Sequence, residues 1–93
     1  MIQSFKCKET EKIFGRIFSK KIPTDIQRVA LRKLRMLNRA SIINDLRVPP
    51  SNHLELLKGN RSGQRSIRIN EQWRICFKWK GGDAFDVEIV DYH

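Results

Sequence analysis

Residues 66–90 read SIRINEQWRICFKWKGGDAFDVEIV, and through most of that run apolar side chains fall at every second position. Ile67 and Ile69 alternate with Ser66, Arg68 and Asn70. Trp73, Ile75, Phe77 and Trp79 alternate with Arg74, Cys76 and Lys78, and Phe85, Val87 and Ile89 with Asp86, Glu88 and Val90. A period of two sends successive side chains to opposite faces of a strand, so three strands with one common buried face are predicted. The Gly81-Gly82-Asp83 segment sets the register of the last two. A two-residue Gly81-Gly82 loop pairs Phe77 with Asp86. A three-residue loop instead pairs Trp79 with Phe85, Phe77 with Val87 and Ile75 with Ile89, so the three-residue loop is expected. In that register Lys78 faces Asp86 across the strands on the open face, an opposite-charge pair.

Upstream of this run the period lengthens. Residues 1–7 alternate loosely, with Ile2, Phe5 and Cys7 apolar, and predict a short strand that opens the sheet. Ile13, Phe14, Ile17 and Phe18 recur on one helical face between about residues 9 and 19, and Lys20 and Lys21 suit the negative end of that helix dipole. Thr24 followed by Gln27 has the spacing of a capping box and predicts the start of a second helix reaching to about Ser41. On that helix Arg28, Arg32, Arg35 and Arg39 fall within about 40° of one line, while Ile26, Val29, Ala30, Leu34, Leu37 and Ala40 centre on the opposite side. Lys33 lies near the apolar side and is expected to snorkel or to sit at its edge. Residues 42–53, rich in Asn, Asp and Pro, read as a surface connection with a single helical turn near Asn44 to Arg47. The resulting fold class is α+β: an N-terminal strand and two helices packed on one face of a twisted, mainly antiparallel sheet. The other face then carries Arg68, Arg74 and Lys78 toward solvent or a ligand.

Length and composition agree with one small domain over residues 1–93, because two separate cores would leave each half too small to fold alone. Nineteen Lys and Arg against ten Asp and Glu give a formal charge of +9, which points to a polyanionic partner. Four of the ten acids, Asp83, Asp86, Glu88 and Asp91, lie in residues 82–93, where there is no Lys or Arg. The rest of the chain is correspondingly more basic. No apolar run approaches the roughly 18 residues that span a bilayer, and Lys6, Lys8, Glu9 and Glu11 interrupt the N-terminal region where a signal peptide is apolar. A cytoplasmic location without membrane attachment is therefore expected. Cys7 and Cys76 are too few for a disulfide framework and lack metal-ligand spacing, so reduced thiols and no metal site are expected. No glycine-rich phosphate loop or nucleophile elbow is present, and no cofactor is implied.

Two basic surfaces follow. One is the arginine stripe of the second helix, which reads equally as a solvated face. The other gathers Lys58, Arg61, Arg65, Arg68, Arg74 and Lys78, with Asp91, Tyr92 and His93 returning along the last strand toward Trp73. Metal-free RNA cleavage needs a base for the 2′-hydroxyl, cations beside the phosphorane and an acid for the 5′ oxygen, and these residue types can supply all three. Aromatic rings such as Trp73 and Tyr92 can also stack on unpaired bases. His53 lies in the breaker-rich connection and reads as an exposed bystander. From these residues alone the chain is a basic nucleic-acid or phosphate binder.

The motifs carry more. Leu57-Lys58-Gly59-Asn60-Arg61-Ser62-Gly63, Ser66-Ile67-Arg68-Ile69-Asn70, Gln72-Trp73-Arg74-Ile75 and the closing Asp91-Tyr92-His93, together with Met1-Ile2-Gln3-Ser4-Phe5-Lys6, resemble the HigB-type toxins of the RelE superfamily, also called plasmid-maintenance killer proteins. The resemblance implies a ribosome-dependent endoribonuclease that enters the ribosomal A site and cuts bound mRNA by 2′-hydroxyl attack. It also implies neutralisation by a HigA-type helix-turn-helix antitoxin, through which alone operator DNA would be bound. By the same resemblance Lys58, Asp91, Tyr92 and His93 occupy catalytic positions, and Arg61, Arg68 and Arg74 suit the mRNA backbone. Some relatives read Leu-His-Pro-Leu-Lys-Gly, whereas this chain has Glu55 at the histidine position, in Leu54-Glu55-Leu56-Leu57-Lys58-Gly59. Either Glu55 is the base, or Asp91 and His93 share the proton transfers with Lys58 and an arginine stabilising the phosphorane, and the second is expected. His53 is two positions out of register. The gyrase-poisoning ParE toxins of the same superfamily supply the alternative, a non-enzymatic inhibitor of DNA gyrase.

Overall fold

A computed structural model describes residues 1–92, so His93 lies outside the described residues. Its elements are α1 (Lys8–Phe14), α2 (Thr24–Arg39), β1 (Glu55–Leu56), β2 (Arg65–Arg68), β3 (Trp73–Lys80) and β4 (Asp83–Asp91), with short 3₁₀ turns at Ile43–Arg47, Pro50–Asn52 and Gly59–Arg61. The four strands form an antiparallel sheet in the order β1-β2-β3-β4. Ile67, Ile75, Phe77, Ala84, Val87 and Ile89 point from it into the same core as Ile13, Ile26, Ala30, Leu34 and Leu37 of the helices. The α+β class and the side of the sheet that is covered are as the periodicity requires. None of the helices among the described residues is long and apolar enough to cross a membrane.

The hairpin between β3 and β4 departs from the expected register. Lys80 pairs with Asp83, Trp79 with Ala84 and Lys78 with Phe85, so the loop is the two residues Gly81 and Gly82, both at positive φ. Such a turn matches the strands' right-handed twist. Phe77 is not thereby forced against Asp86, because a β-bulge between Cys76 and Lys78 absorbs one residue, and Asp86 takes φ 53°. Beyond it Cys76 faces Glu88 and Ile75 faces Ile89, as expected. Phe85 changes face while Ala84 enters the core beside Trp79. The bulged Asp86 N–H donates to Ser4 Oγ at 2.8 Å, so the irregularity is satisfied from the N-terminus. Residues 1–7 do not form the regular strand expected of them. They run parallel to β4 as two isolated bridges, Ile2 to Ala84 and Phe5 to Val87.

The helices also differ in detail. α1 stops at Phe14, because Arg16 turns left-handed (φ 64°) after Gly15, and Ile17 N–H reaches back to Lys12 O at 2.8 Å. Ile17 and Phe18, expected in the core, are therefore exposed. The Thr24 capping box is absent: Pro23 is the N-cap, and Gln27 Nε2 donates to Ser19 O and Ile22 O, tying down the preceding loop. α2 buries the face expected of it and exposes all four arginines of its stripe. Lys33 does not snorkel. It is buried, with Nζ donating to Asn52 Oδ1, and Asn52 is held in turn through Nδ2 by Leu46 O at 3.0 Å. Burial, helped by neighbouring Arg32, holds the Lys33 pKa below the usual lysine value. β1 escaped the period because two residues show none.

Candidate active site

Strand alternation places Glu55, Ser66, Arg68, Arg74, Cys76, Lys78, Glu88 and Val90 on the sheet face away from the helices. Tyr92 follows β4 and joins this face, its ring 5.7 Å from the Arg74 guanidinium carbon. Arg65 and Trp73 do not join it. Their register partners are Phe77 and Asp91, and Trp73 packs against the core on the helix side. Asp91, opposite Trp73, lies by the same alternation on the helix side, where its carboxylate accepts Gln72 Nε2 at 3.1 Å. His93, a proposed catalytic residue, lies outside the described residues.

Arg74 is buried, 7% exposed, and its guanidinium ties three segments together. Nη1 donates to Ser66 Oγ at 2.6 Å and to His53 O at 3.3 Å, and Nη2 donates to Glu55 Oε1 at 2.7 Å. Its neighbour in register is Arg68. Two guanidiniums side by side repel each other, and the Glu55 carboxylate offsets one of them. His53 is thus a bystander by its exposed side chain but not by its carbonyl. Glu55 itself is half exposed, its side chain 51% accessible, and it faces the same solvent as Tyr92.

The loop between β1 and β2 folds over this face. Leu57 is buried and its N–H closes the loop on Gln64 O at 2.8 Å. Lys58, exposed, starts the turn, and Gly59 at φ 66° directs the chain back over the sheet. Arg61 Nη1 then reaches Glu88 Oε1 on β4 at 2.7 Å and Gln64 Oε1 at 3.2 Å. Glu88 raises the Arg61 pKa further, and burial pushes the Cys76 thiol up. Cys76 is fully buried although no helix covers its side of the sheet. Arg61 also interacts electrostatically with the Tyr92 phenol.

Three of the cations therefore face acids: Arg61 with Glu88, Arg74 with Glu55, and Lys78 with Asp86 at 3.4 Å, the pair expected from the alternation. Among the described residues Lys58 and Arg68 make no ion pair, so these two keep their charge uncompensated. Arg61, Arg68, Arg74, Tyr92 and Glu55 share this face, and Lys58 lies at the start of the loop that Arg61 fastens to it. Arg65, Trp73 and Asp91 are on the other side, and Lys78 stands apart beside the bulge. Sequence reading missed Glu88 and Ser66. Alternation placed both on this face, but only an arginine from another segment gives them a role. Among the described residues no group of three or more His, Cys, Asp or Glu is placed to hold a metal ion. A separate concavity of about 380 Å³ lies between α1 and α2, lined by Ile13, Ile17, Phe18 and Leu31 with Arg16 and Arg28.

Comparison with known proteins bears on the whole chain. The model of a family described as RelE-like toxin of type II toxin-antitoxin system HigB matches residues 3–93. Toxin HigB-1 of Vibrio cholerae serotype O1 is 45% identical over 65 residues, which are 70% of this chain and 68% of that protein. Endoribonuclease HigB of Proteus vulgaris is 35% identical over 94 residues, covering 100% of both. Among solved structures, a mutant of YafQ from E. coli superposes with TM-score 0.63 at 13% identity, covering 98% of this chain and 91% of that one. At that identity the likeness concerns the fold.

Proposed function

The chain belongs to the HigB-like family, RelE-like toxins of type II toxin-antitoxin systems, and from that premise we propose that it is an endoribonuclease that cuts mRNA in the ribosomal A site. The observation that carries the reading is the 5.7 Å contact of Tyr92 with Arg74, which brings the end of the last strand to the cationic sheet face beside Glu55 and Arg61. The similarity to Endoribonuclease HigB of Proteus vulgaris supports the same class of reaction.

In the proposed reaction a base takes the proton of the 2′-hydroxyl, and the 2′ oxygen attacks the adjacent phosphorus. The bond from phosphorus to the 5′ oxygen breaks, the leaving oxygen is protonated, and a 2′,3′-cyclic phosphate remains. No metal enters the step. We assign the base to Glu55, because Glu88 on the same face is enclosed by Arg61 whereas Glu55 is half exposed. The general acid is assigned to His93. Lys58 and Arg68, whose charges are uncompensated, stabilise the phosphorane, and Tyr92 stacks on the scissile nucleotide. The cognate partner is a HigA-type helix-turn-helix antitoxin, docking on the helices through the Arg28 to Arg39 stripe and carrying the complex to operator DNA. The setting is the cytoplasm.

Primer extension across transcripts after brief induction, with translating ribosomes present, tests this. Wild type cuts. Glu55→Gln lowers cleavage by about 10²–10⁴-fold, the range for loss of a general base, and Lys58→Ala abolishes growth arrest while antitoxin binding persists. Intact transcripts with blocked DNA replication would instead identify a ParE-like gyrase inhibitor.

A further inference from the structure

We propose that Glu88 is a positioning residue for RNA cleavage, tethering the loop that bears Lys58 and Arg61 to the sheet face that Tyr92 joins. The inference rests on the endonuclease reading above.

An acid on a face that must receive a polyanion repels its own ligand, so its presence there calls for a compensating role. Glu88 is mostly enclosed, with 15% of its side chain accessible, and it meets Arg61 across 27 positions of chain. The loop it holds is otherwise tied locally. Ser62 N–H donates to Gly59 O and Gln64 N–H to Arg61 O, and Gly59 and Gly63 both take positive φ. Among the described residues, side-chain hydrogen bonds from positions 58–63 to the sheet beyond Gln64 run through Arg61 to Glu88 alone. The pair lies near Cys76, the register partner of Glu88, which is fully buried. A charge-assisted bond in so enclosed a place fixes direction as well as distance.

The geometry of the fork is what matters for a phosphate. Glu88 and Gln64 both engage Nη1 of Arg61, and Nη2 and Nε make no hydrogen bond among the described residues. One end of the guanidinium is thereby anchored while the other N–H donors remain for a bidentate contact with a phosphate oxygen pair. Arg74 differs, since both of its terminal nitrogens are taken by protein oxygens. Glu88 thus makes Arg61 the phosphate fork of the site and Arg74 its scaffold.

The test compares wild type, Glu88→Ala, the near-isosteric Glu88→Gln, Arg61→Ala and the double variant Arg61→Ala/Glu88→Ala on mRNA-programmed ribosomes, with melting temperature and amide hydrogen exchange of residues 58–63 measured on the same samples. Glu88→Ala is expected to lower kcat/KM by about 10–100-fold, since displacement of a positioning group by about 1 Å costs on that order, and Glu88→Gln to recover part of it. The double variant should be no worse than Arg61→Ala, because the two residues act as one unit. Exchange at 58–63 should rise at least tenfold in Glu88→Ala. The exchange readout holds whether or not RNA is cut, so a wild type without cleavage removes the endonuclease reading while loop exchange still judges the tether. Wild-type cleavage by both Glu88 variants, losses that multiply in the double variant, or unchanged exchange at 58–63 would each overturn the proposal. Should Glu88→Ala fail to fold, Glu88→Gln decides by the same activity and exchange criteria.

Discussion

At the scale of single residues, Arg74 does more for the architecture than for charge. Its planar fork joins the carbonyl of His53, the carboxylate of Glu55 and the hydroxyl of Ser66, and it lies beside the Tyr92 ring. A lysine has the same charge but cannot meet three divergent oxygens and a ring together. Arg74→Lys is therefore expected to destabilise the fold by about 1–3 kcal/mol, below the full cost of breaking a buried pair because Glu55 is half exposed. Urea unfolding measures it. The basic character of position 74 was legible in the sequence. Its burial was not, because its acceptors come from residues 53, 55 and 66, and no local pattern relates those positions.

At the scale of elements, the helix that carries the arginine stripe also carries a buried lysine. Lys33 is enclosed between α2 and the Pro50–Asn52 turn, and burial lowers its pKa from the ordinary 10.5. The unfolded chain therefore binds more protons than the folded one in the window between the lowered value and 10.5, and this group's contribution to stability rises with pH there. Stability of wild type relative to Lys33→Met is expected to increase as pH climbs through that window and to be flat below it, as denaturant titrations at a series of pH values will show. Periodicity gave α2's two faces correctly, because about four turns of one amphipathic pattern are hard to misread. It placed α1's end wrongly, since a left-handed Arg16 leaves no mark on hydrophobic spacing. The β3–β4 hairpin shows the same division. The Ile75–Ile89 pairing follows from alternation, whereas the two-residue turn with its bulge depends on Ser4, at the far end of the chain, to take the Asp86 N–H.

At the scale of the whole molecule, helices and candidate site occupy opposite sides of one sheet. The formal charge of +9 is therefore divided between a helical stripe and a sheet face on which acids already compensate Arg61, Arg74 and Lys78. Net charge overstates what is available to RNA. Binding to single-stranded RNA, measured by anisotropy over a range of salt, is expected to lose about 0.7 from its log–log salt slope in Arg68→Gln, the amount for one phosphate contact. Lys78→Gln, whose ammonium faces Asp86, should change it less. The amino-acid sequence by itself determined the α+β layering, the buried faces, the basic balance and the family resemblance, because periodicity, composition and short motifs are properties of neighbouring residues. Only tertiary structure decided which cations are compensated, that Arg65, Trp73 and Asp91 leave the face that Tyr92 joins, and that Glu88 anchors the loop bearing Lys58. Those outcomes depend on register and on contacts between distant segments, where a single bulge or a two-residue strand redirects side chains without altering the pattern from which the fold is read.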